Sequence, residues 1–151
     1  MIKILFVCHG NICRSTMAQF VFQDMVNKRD LQDMFHIDSA ATSREEIGNP
    51  PHYGTVQKLK EVGVPILKHY AVQMMKKDYD KYDYLIGMDS WNIRNMMRIL
   101  KDDPDGKVSK LLDFTGESGD IADPWYTGNF DQTYNEIVEG INYLIEDLKS
   151  K

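Results

Sequence analysis

The sequence predicts an α/β fold of three layers, in which a four-stranded parallel sheet carries helices on both faces. Three observations predict it. Four short apolar segments are typical of strands, and they alternate with longer segments whose apolar residues recur at helical spacing. Strands separated by helices pair in parallel and are covered on both faces. The chain has 151 residues, of which 42% are hydrophobic, so it can bury one full core, and we expect a single domain over residues 1–151.

Four strands and four helices follow from this pattern. The first helix begins near Arg14, directly after the first strand. The second spans Pro51–Val62, and Gly63 suits its C-terminus because glycine tolerates a left-handed backbone. The third follows Asp89, a favourable N-cap residue. The strands are Ile2–Val7, Phe35–Ala40, Tyr84–Met88 and Val108–Phe114, and the last helix carries apolar residues on one face at Tyr134, Ile137, Val138, Ile141, Leu144, Ile145 and Leu148.

Three residues with reactive or charged side chains come after the carboxyl ends of predicted strands. Cys8 follows the first strand, Asp89 follows the third, and Asp123 lies in the loop after the fourth. In open parallel sheets, ligands bind outside the carboxyl ends of the strands. We therefore expect these three residues to meet at one rim of the sheet.

The segment from Cys8 to Ser15, Cys-His-Gly-Asn-Ile-Cys-Arg-Ser, places a Cys-x5-Arg-Ser pattern between a strand and a helix. Consecutive backbone N–H groups in such a loop can surround one tetrahedral anion, and the N-terminus of the following helix favours negative charge. Arg14 adds a planar cation that binds two anion oxygens. Positive potential at the base of this bowl stabilises the thiolate form of Cys8. The pattern predicts a thiolate aimed at a bound phosphoryl group.

These residue types can hydrolyse a phosphate monoester. Cys8 would attack phosphorus and form a phosphocysteine, while Arg14 and the loop amides hold the phosphoryl oxygens. Ser15 can donate a hydrogen bond to the Cys8 thiolate. Asp123 is the candidate proton donor to the leaving group and then the base for the attacking water. From spacing alone Asp120 is a rival, and an Asp before Pro is often only a turn residue.

The segment Cys8–Ser15, taken with Asp123–Tyr126 (Asp-Pro-Trp-Tyr), resembles the low-molecular-weight protein tyrosine phosphatases. The likeness extends to Asp38–Ala41 and to Gly87–Arg94, and it covers nearly the whole chain. In that family the loop precedes the acid along the chain, as here. The resemblance implies a metal-independent phosphotyrosine phosphatase that needs no cofactor, with Cys8, Arg14 and Asp123 as its catalytic residues.

The same resemblance extends to the residues that would bind substrate. An aromatic wall beside the phosphoryl site would stack against a phenyl ring and select aryl phosphates. The residues predicted to bind phosphate or substrate are His9, Gly10, Asn11, Ile12, Cys13, Ser15, Trp125 and Tyr126.

Four residues have supporting roles, and three of them, His69, Asp89 and Cys13, also have a simpler alternative. Asn11 tolerates the left-handed backbone that a tight loop needs, and the resemblance implies that His69 pins it, a surface histidine being the alternative. Asp89 would support the loop, or only cap its helix. Cys13, in the family, forms a disulfide with Cys8 on oxidation, so we expect reversible inactivation, the alternative being a small buried filler.

The chain departs from the family pattern at the mouth of the site. Ser43–Gly48 has no aromatic residue and contains Glu45, and Val72 stands where many members have arginine. A protein arginine phosphatase of the same fold is the second hypothesis, but those members carry threonine at the position of Ile12, and a larger apolar residue favours a flat phenyl ring. An arsenate reductase of the same fold is disfavoured because it would need more than the two cysteines this chain has. A non-catalytic phospho-binding module is disfavoured because it would need neither the nucleophile nor the acid that this chain keeps.

The composition of the chain limits which kinds of partner it can have. The net charge of −5 argues against nucleic acid, because binding phosphates needs a basic surface. No apolar stretch is long enough to span a membrane or resembles a signal peptide. We therefore expect a cytoplasmic protein whose partner is a phosphotyrosine-containing protein, with a tyrosine kinase among the candidates.

Overall fold

The protein is built on a sheet of four parallel strands, seen in a computed structural model that describes residues 1–151. The strands are β1 (Ile2–Cys8), β2 (Phe35–Ala41), β3 (Tyr84–Gly87) and β4 (Val108–Lys110). Their spatial order is β2-β1-β3-β4, so β1 and β3 are central. At the carboxyl end Cys8 pairs with Ala41 and Val7 pairs with Gly87, which opens the following loops on one rim.

The chain forms six α-helices, five of which pack on the two faces of this sheet. They are α1 (Arg14–Lys28), α2 (Tyr53–Val62), α3 (Asp78–Lys81), α4 (Ser90–Leu100), α5 (Pro124–Thr127) and α6 (Phe130–Lys149). Helices α1, α2 and α6 pack on one face, whereas α3 and α4 pack on the other. The predicted class, a parallel four-stranded sheet between two helical layers, is therefore confirmed. None of the six combines the length and the apolar character that crossing a bilayer requires.

The central strand explains why both faces are covered. Successive side chains of a strand point to opposite faces. Ile4 and Phe6 join the core with α1, α2 and α6, whereas Leu5 and Val7 join the core with α3 and α4. All four are at most 2% exposed. A strand buried on both faces appears in the sequence as an unbroken apolar run, which is what Ile4–Val7 shows.

The prediction of a fourth strand through Phe114 was wrong. Strand β4 ends at Lys110, and Leu111–Thr115 forms a short 3-10 helix instead. Leu111 is fully buried against α6, where Gly140 lets it approach so closely that a Cβ atom there would lie 2.6 Å from its side chain. The apolar residues after Lys110 thus serve packing on α6 and not extension of the sheet. The ends of the other predicted strands and helices differ from the structure by one or two residues. The single-turn helices α3 and α5 were not predicted, because they are too short to show a helical period of apolar residues.

Candidate active site

A cleft of about 620 Å³ opens at the carboxyl end of the sheet. It lies where the loops after β1 and β3 meet the segment before α5, as expected for parallel strands. The predicted residues that line it are Cys8, His9, Gly10, Ile12, Cys13, Arg14, Asp89, Asp123, Trp125 and Tyr126. Asn11, Ser15 and His69 do not line the cleft and instead contact one another behind it.

The loop after β1 turns tightly around Asn11, whose backbone is left-handed with φ 60°. Asparagine adopts this conformation more readily than most residues. No side chain caps the N-terminus of α1, which begins at Arg14. Apart from the Ser15 N–H, which points to Cys8 Sγ, the N–H groups of its first turn therefore remain available to an anion, whose charge the helix dipole also favours.

Asn11 is fully buried, and its amide is used completely. Its Nδ2 donates to Ser15 Oγ at 2.8 Å and to Ser39 Oγ at 2.9 Å. Its Oδ1 accepts from His69 Nε2 at 2.7 Å and from the Val72 N–H at 3.2 Å. These four bonds join the loop to α1, to β2 and to the segment that runs beside β2, so they fix the shape of the anion-binding bowl.

His69 holds Asn11 as a neutral imidazole. Because an amide oxygen can only accept, the proton of the neutral ring lies on Nε2. Burial lowers the pKa of His69 from its usual value, against the opposing effect of the Asp38 carboxylate. The sequence left open whether His69 pins Asn11 or lies at the surface, and the structure places it in contact with Asn11.

Cys8 lies at the end of β1 and is 3% exposed. Its Sγ is 3.1 Å from Ser15 Oγ and 3.4 Å from Ser15 N. Since Ser15 Oγ already accepts a hydrogen bond from Asn11, its own proton is free to point at the sulfur. Two donors from Ser15 can thus stabilise negative charge on Cys8.

Arg14 has the largest fully buried side chain of the protein. Its Nη1 donates to Asp89 Oδ2 at 2.7 Å and to Ile121 O at 3.0 Å, and its Nη2 donates to Asp123 Oδ2 at 3.3 Å. Burial acts to lower the pKa of the guanidinium, but the negative charges of Cys8, Asp123 and Asp89 outweigh it and raise the pKa above its usual value. The cation is therefore held in one orientation beside the cleft.

Asp89 uses one carboxylate oxygen for each of two contacts. Oδ1 accepts the Asn92 N–H at 2.7 Å and so caps α4, whereas Oδ2 accepts from Arg14 Nη1 at 2.7 Å. The Asn92 side chain returns the bond by accepting the Asp89 N–H. Helix capping and support of the phosphate loop, which the sequence left as alternatives, are combined in this residue.

Asp123 stands at the start of α5, at the edge of the cleft. Its Oδ1 accepts the Trp125 N–H at 3.0 Å, and its Oδ2 lies 3.3 Å from Arg14 Nη2. Its side chain is 24% exposed, so a bound substrate can reach it. The rival Asp120 does not line the cleft, and its carboxylate accepts from Lys110 Nζ at 3.1 Å.

Cys13 also lines the cleft, but its environment differs from that of Cys8. It is 6% exposed, and burial, reinforced by the negative charge of Cys8, raises its pKa to about 12. At neutral pH Cys13 is therefore a thiol and not a second thiolate nucleophile.

Aromatic side chains form part of the cleft mouth. Trp125 and Tyr126 are 61% and 85% exposed, and both line the cleft as predicted. Trp91, 65% exposed, lines it as well and was not predicted as a site residue. The Arg94 guanidinium lies 4.5 Å from the Trp91 ring centroid, which limits the motion of that ring.

Another part of the mouth is acidic. Glu45 and Glu46 lie in the segment where the sequence lacks the aromatic residue of many family members, and both line the cleft. Glu45 Oε2 is 2.9 Å from His9 Nε2, so the side chain of His9 turns to this lip while its backbone stays in the loop. The mouth therefore combines apolar rings with carboxylates.

Sequence reasoning missed two buried polar residues behind the loop. Ser39 Oγ, which accepts from Asn11, donates in turn to Gln19 Oε1. Gln19 lies one helical turn after Ser15 on the buried side of α1, and a polar residue at such a position was the signal that could have found it. No three His, Cys, Asp or Glu side chains are arranged to share a metal ion.

Comparison with known sequences gives a consistent result. A family model described as low molecular weight phosphotyrosine protein phosphatase matches residues 3–151. Low molecular weight protein-tyrosine-phosphatase YfkJ of Bacillus subtilis (strain 168) is 37% identical over 153 residues, covering 100% of this chain and 98% of the relative. The low molecular weight phosphotyrosine protein phosphatase of Saccharomyces cerevisiae is 40% identical over 139 residues, covering 89% and 86%.

Solved structures agree with these sequences. The crystal structure of YfkJ superposes with a TM-score of 0.95 at 38% identity and covers 99% of this chain and 96% of that one. The crystal structure of DARP, a drosophila arginine phosphatase, has a TM-score of 0.87 at 30% identity and covers 98% of each chain. The likeness therefore spans the whole fold.

Proposed function

The chain belongs to the low molecular weight phosphotyrosine protein phosphatase family, and we propose that it hydrolyses phosphotyrosine through a phosphocysteine intermediate on Cys8. Membership makes it a hydrolase whose substrates are phosphoproteins. One observation carries the mechanism: Cys8, Arg14 and Asp123 line one cleft, with the Asp123 carboxylate 3.3 Å from the Arg14 guanidinium.

The first step transfers the phosphoryl group to sulfur. The Cys8 thiolate attacks phosphorus as the bond from phosphorus to the tyrosine oxygen breaks. Arg14 and the loop N–H groups hold the phosphoryl oxygens, where charge is greatest in the transition state. Asp123 gives its proton to the departing phenolate, so the dephosphorylated tyrosine side chain leaves the cleft.

The second step returns the enzyme to its starting state. A water molecule attacks phosphorus, and the Asp123 carboxylate takes its proton. The bond from sulfur to phosphorus breaks, inorganic phosphate forms, and Cys8 leaves as a thiolate. The Ser15 hydroxyl, 3.1 Å from Sγ, stabilises that leaving group.

The aryl preference rests on the walls of the cleft. Ile12 lines the cleft and is 8% exposed, and it offers an apolar surface to a flat ring. Trp91, Trp125 and Tyr126 extend that surface outward. The likeness to an arginine phosphatase makes phosphoarginine the second candidate substrate.

The test compares phosphotyrosine, phosphoserine and phosphoarginine as substrates, with a chelator present, from acidic to neutral pH. We expect phosphate release from phosphotyrosine, no release by Cys8→Ser, and retained release by the matched control Cys13→Ser. Mass spectrometry of quenched Asp123→Asn incubated with 2,4-dinitrophenyl phosphate should find one phosphoryl group on the peptide that contains Cys8. The leaving group of this ester departs without a proton, so the intermediate still forms, whereas its hydrolysis is slowed by loss of the Asp123 base.

Three outcomes would change the proposal. Preference for phosphoarginine would reverse the argument from Ile12. Retained turnover by Cys8→Ser would remove the phosphocysteine. Phosphate binding without turnover of any ester would favour the non-catalytic binding module.

Oxidation, location and partners complete the proposal. Peroxide should join Cys8 and Cys13 in a disulfide that dithiothreitol reverses, so Cys13→Ser should lose activity irreversibly. Equal recovery in both proteins would contradict this.

We also propose a cytoplasmic location, supported by two free cysteines, and a phosphotyrosine-containing protein as partner, with tyrosine kinases as candidates.

A further inference from the structure

The orientation of Asp123 depends on the chain that leads into it. Its carboxylate contacts Arg14 Nη2 only at 3.3 Å, a long distance for a charged pair. Its other bond, to the Trp125 N–H, lies within its own turn. The backbone of residues 120–122 therefore sets where the carboxylate points, and each of these residues is tied to a different neighbour.

Asp120 ties this loop to the N-terminus of α4. Its Oδ1 accepts from Ser90 N at 3.1 Å, from Ser90 Oγ at 3.2 Å and from Lys110 Nζ at 3.1 Å. The Lys110 ammonium and the helix N-terminus both favour the charged carboxylate. Ser90 directly follows Asp89, the residue that holds Arg14, so Asp120 links the acid loop to the support of the guanidinium.

Glu136 ties the loop to α6 from the other side. Its Oε1 accepts the Ala122 N–H at 2.9 Å, and Thr133, one turn earlier on the helix, donates from Oγ1 to Ala122 O at 2.8 Å. The backbone N–H and C=O of Ala122, the residue before Asp123, are thereby both engaged by α6. Sequence spacing of three residues places Thr133 and Glu136 on the same face of α6.

We propose that Asp120 and Glu136 are positioning residues that hold Asp123 in the orientation for proton transfer. The proposal rests on the proposed role of Asp123 as the general acid. Two further bonds hold the loop at Ile121, whose N–H donates to Met88 O and whose carbonyl accepts from Arg14. Loss of Asp120 or Glu136 therefore tilts the acid without releasing the loop.

A leaving-group test separates this role from general damage. Phenolate is a poor leaving group and needs the proton of Asp123, whereas 2,4-dinitrophenolate leaves without one. In Asp120→Ala and Glu136→Ala, kcat/KM for phenyl phosphate should fall about 10-fold, which corresponds to about 1.4 kcal/mol of transition-state stabilisation. The kcat/KM for 2,4-dinitrophenyl phosphate should stay at the wild-type value.

Conservative and distant variants provide the controls. Glu136→Gln keeps an oxygen that accepts the Ala122 N–H and should retain the wild-type ratio between the two substrates. Exposed carboxylates that make no side-chain contact, Glu117 and Glu139, should be neutral when changed to alanine. If an alanine variant does not fold in a thermal melt, Glu136→Asp, which keeps the charge but withdraws it by one methylene, takes its place.

The outcomes distinguish the positioning role of Asp120 and Glu136 from the acid role of Asp123. An equal loss for both substrates, or no loss for either, would refute the positioning role. Asp123→Ala is measured in parallel, and its phenyl phosphate activity should fall selectively. If it does not, the assignment of Asp123 as the acid fails, whatever Asp120 and Glu136 do.

Discussion

Replacing Asn11 by alanine should remove the pin of the phosphate loop. The Asn11 side chain is fully buried and joins the loop to α1, β2 and the segment around Val72. The same residue has a left-handed backbone, with φ 60°. Asn11→Ala therefore removes four hydrogen bonds and adds backbone strain in one step.

The magnitude follows from what each partner loses. The Ser15 and Ser39 hydroxyls keep other partners, so their loss is small. The Val72 N–H loses its acceptor, and His69 Nε2 keeps only Ser39 Oγ, at 3.3 Å. Both bonds are only partly buried, so each loss costs about 1.5 kcal/mol. Alanine in a left-handed conformation adds about 1 kcal/mol. We expect Asn11→Ala to lower the free energy of unfolding by about 4 kcal/mol.

Urea denaturation followed by circular dichroism measures this change. Asn11→Gly is the matched control, because glycine adopts the left-handed backbone freely and should lose about 1 kcal/mol less than Asn11→Ala. At a urea concentration where both fold, hydrolysis of phenyl phosphate should fall in both variants, because Ser15 loses the bond that orients its hydroxyl. A loss of stability below about 1 kcal/mol in Asn11→Ala would refute the network as the support of the loop.

Three further predictions concern single residues. Burial lowers the pKa of His69 in the folded state, so the neutral ring stabilises the fold fully above the ordinary histidine pKa of 6.5, and this stabilisation is lost as pH falls toward the lower pKa of the folded state. His69→Gln should remove this pH dependence of the free energy of unfolding, measured by urea denaturation. An unchanged pH dependence in the variant would contradict the prediction. Since burial raises the pKa of Cys13 to about 12, iodoacetamide at neutral pH should label Cys8 and spare Cys13 in the folded protein. Peptide mass spectrometry measures the labelling, and equal labelling of both residues would contradict the assignment of Cys8 as the reactive cysteine. Trp91→Ala should raise KM for phenyl phosphate about 5-fold by removing an aromatic contact of about 1 kcal/mol, and an equal rise for acetyl phosphate, which has no ring, would count against stacking.

Local chemistry made the phosphate loop visible in the sequence. Consecutive residues from Cys8 to Ser15 supply the thiol, the amides, the guanidinium and the helix start, so the spacing alone predicts the bowl. The carboxyl ends of parallel strands also predicted that Asp89 and Asp123 would approach it. The prediction of secondary structure was wrong for short segments whose conformation depends on packing. Leu111, for example, is apolar like a strand residue but packs on α6 beside Gly140.

The network behind the loop depends on tertiary contacts. Ser39 and His69 lie 28 and 58 residues after Asn11, and no spacing rule indicates either hydrogen bond. Only the family resemblance suggested the contact with His69. The two oxygens of Asp89 likewise divide between a helix cap and Arg14 only because α4 starts beside α1. Glu136 reaches the acid loop from a helix whose sequence pattern shows only an exposed polar face.

The sequence by itself therefore determined the fold class and the phosphate loop, because strand and helix periods and contiguous motifs are encoded over short distances. The family resemblance then favoured Asp123 over Asp120 as the candidate acid. Only the tertiary structure decided which side chains orient them. Hydrogen bonds between residues far apart in the chain arise from the packing of helices on the sheet, and packing depends on every residue of the core at once.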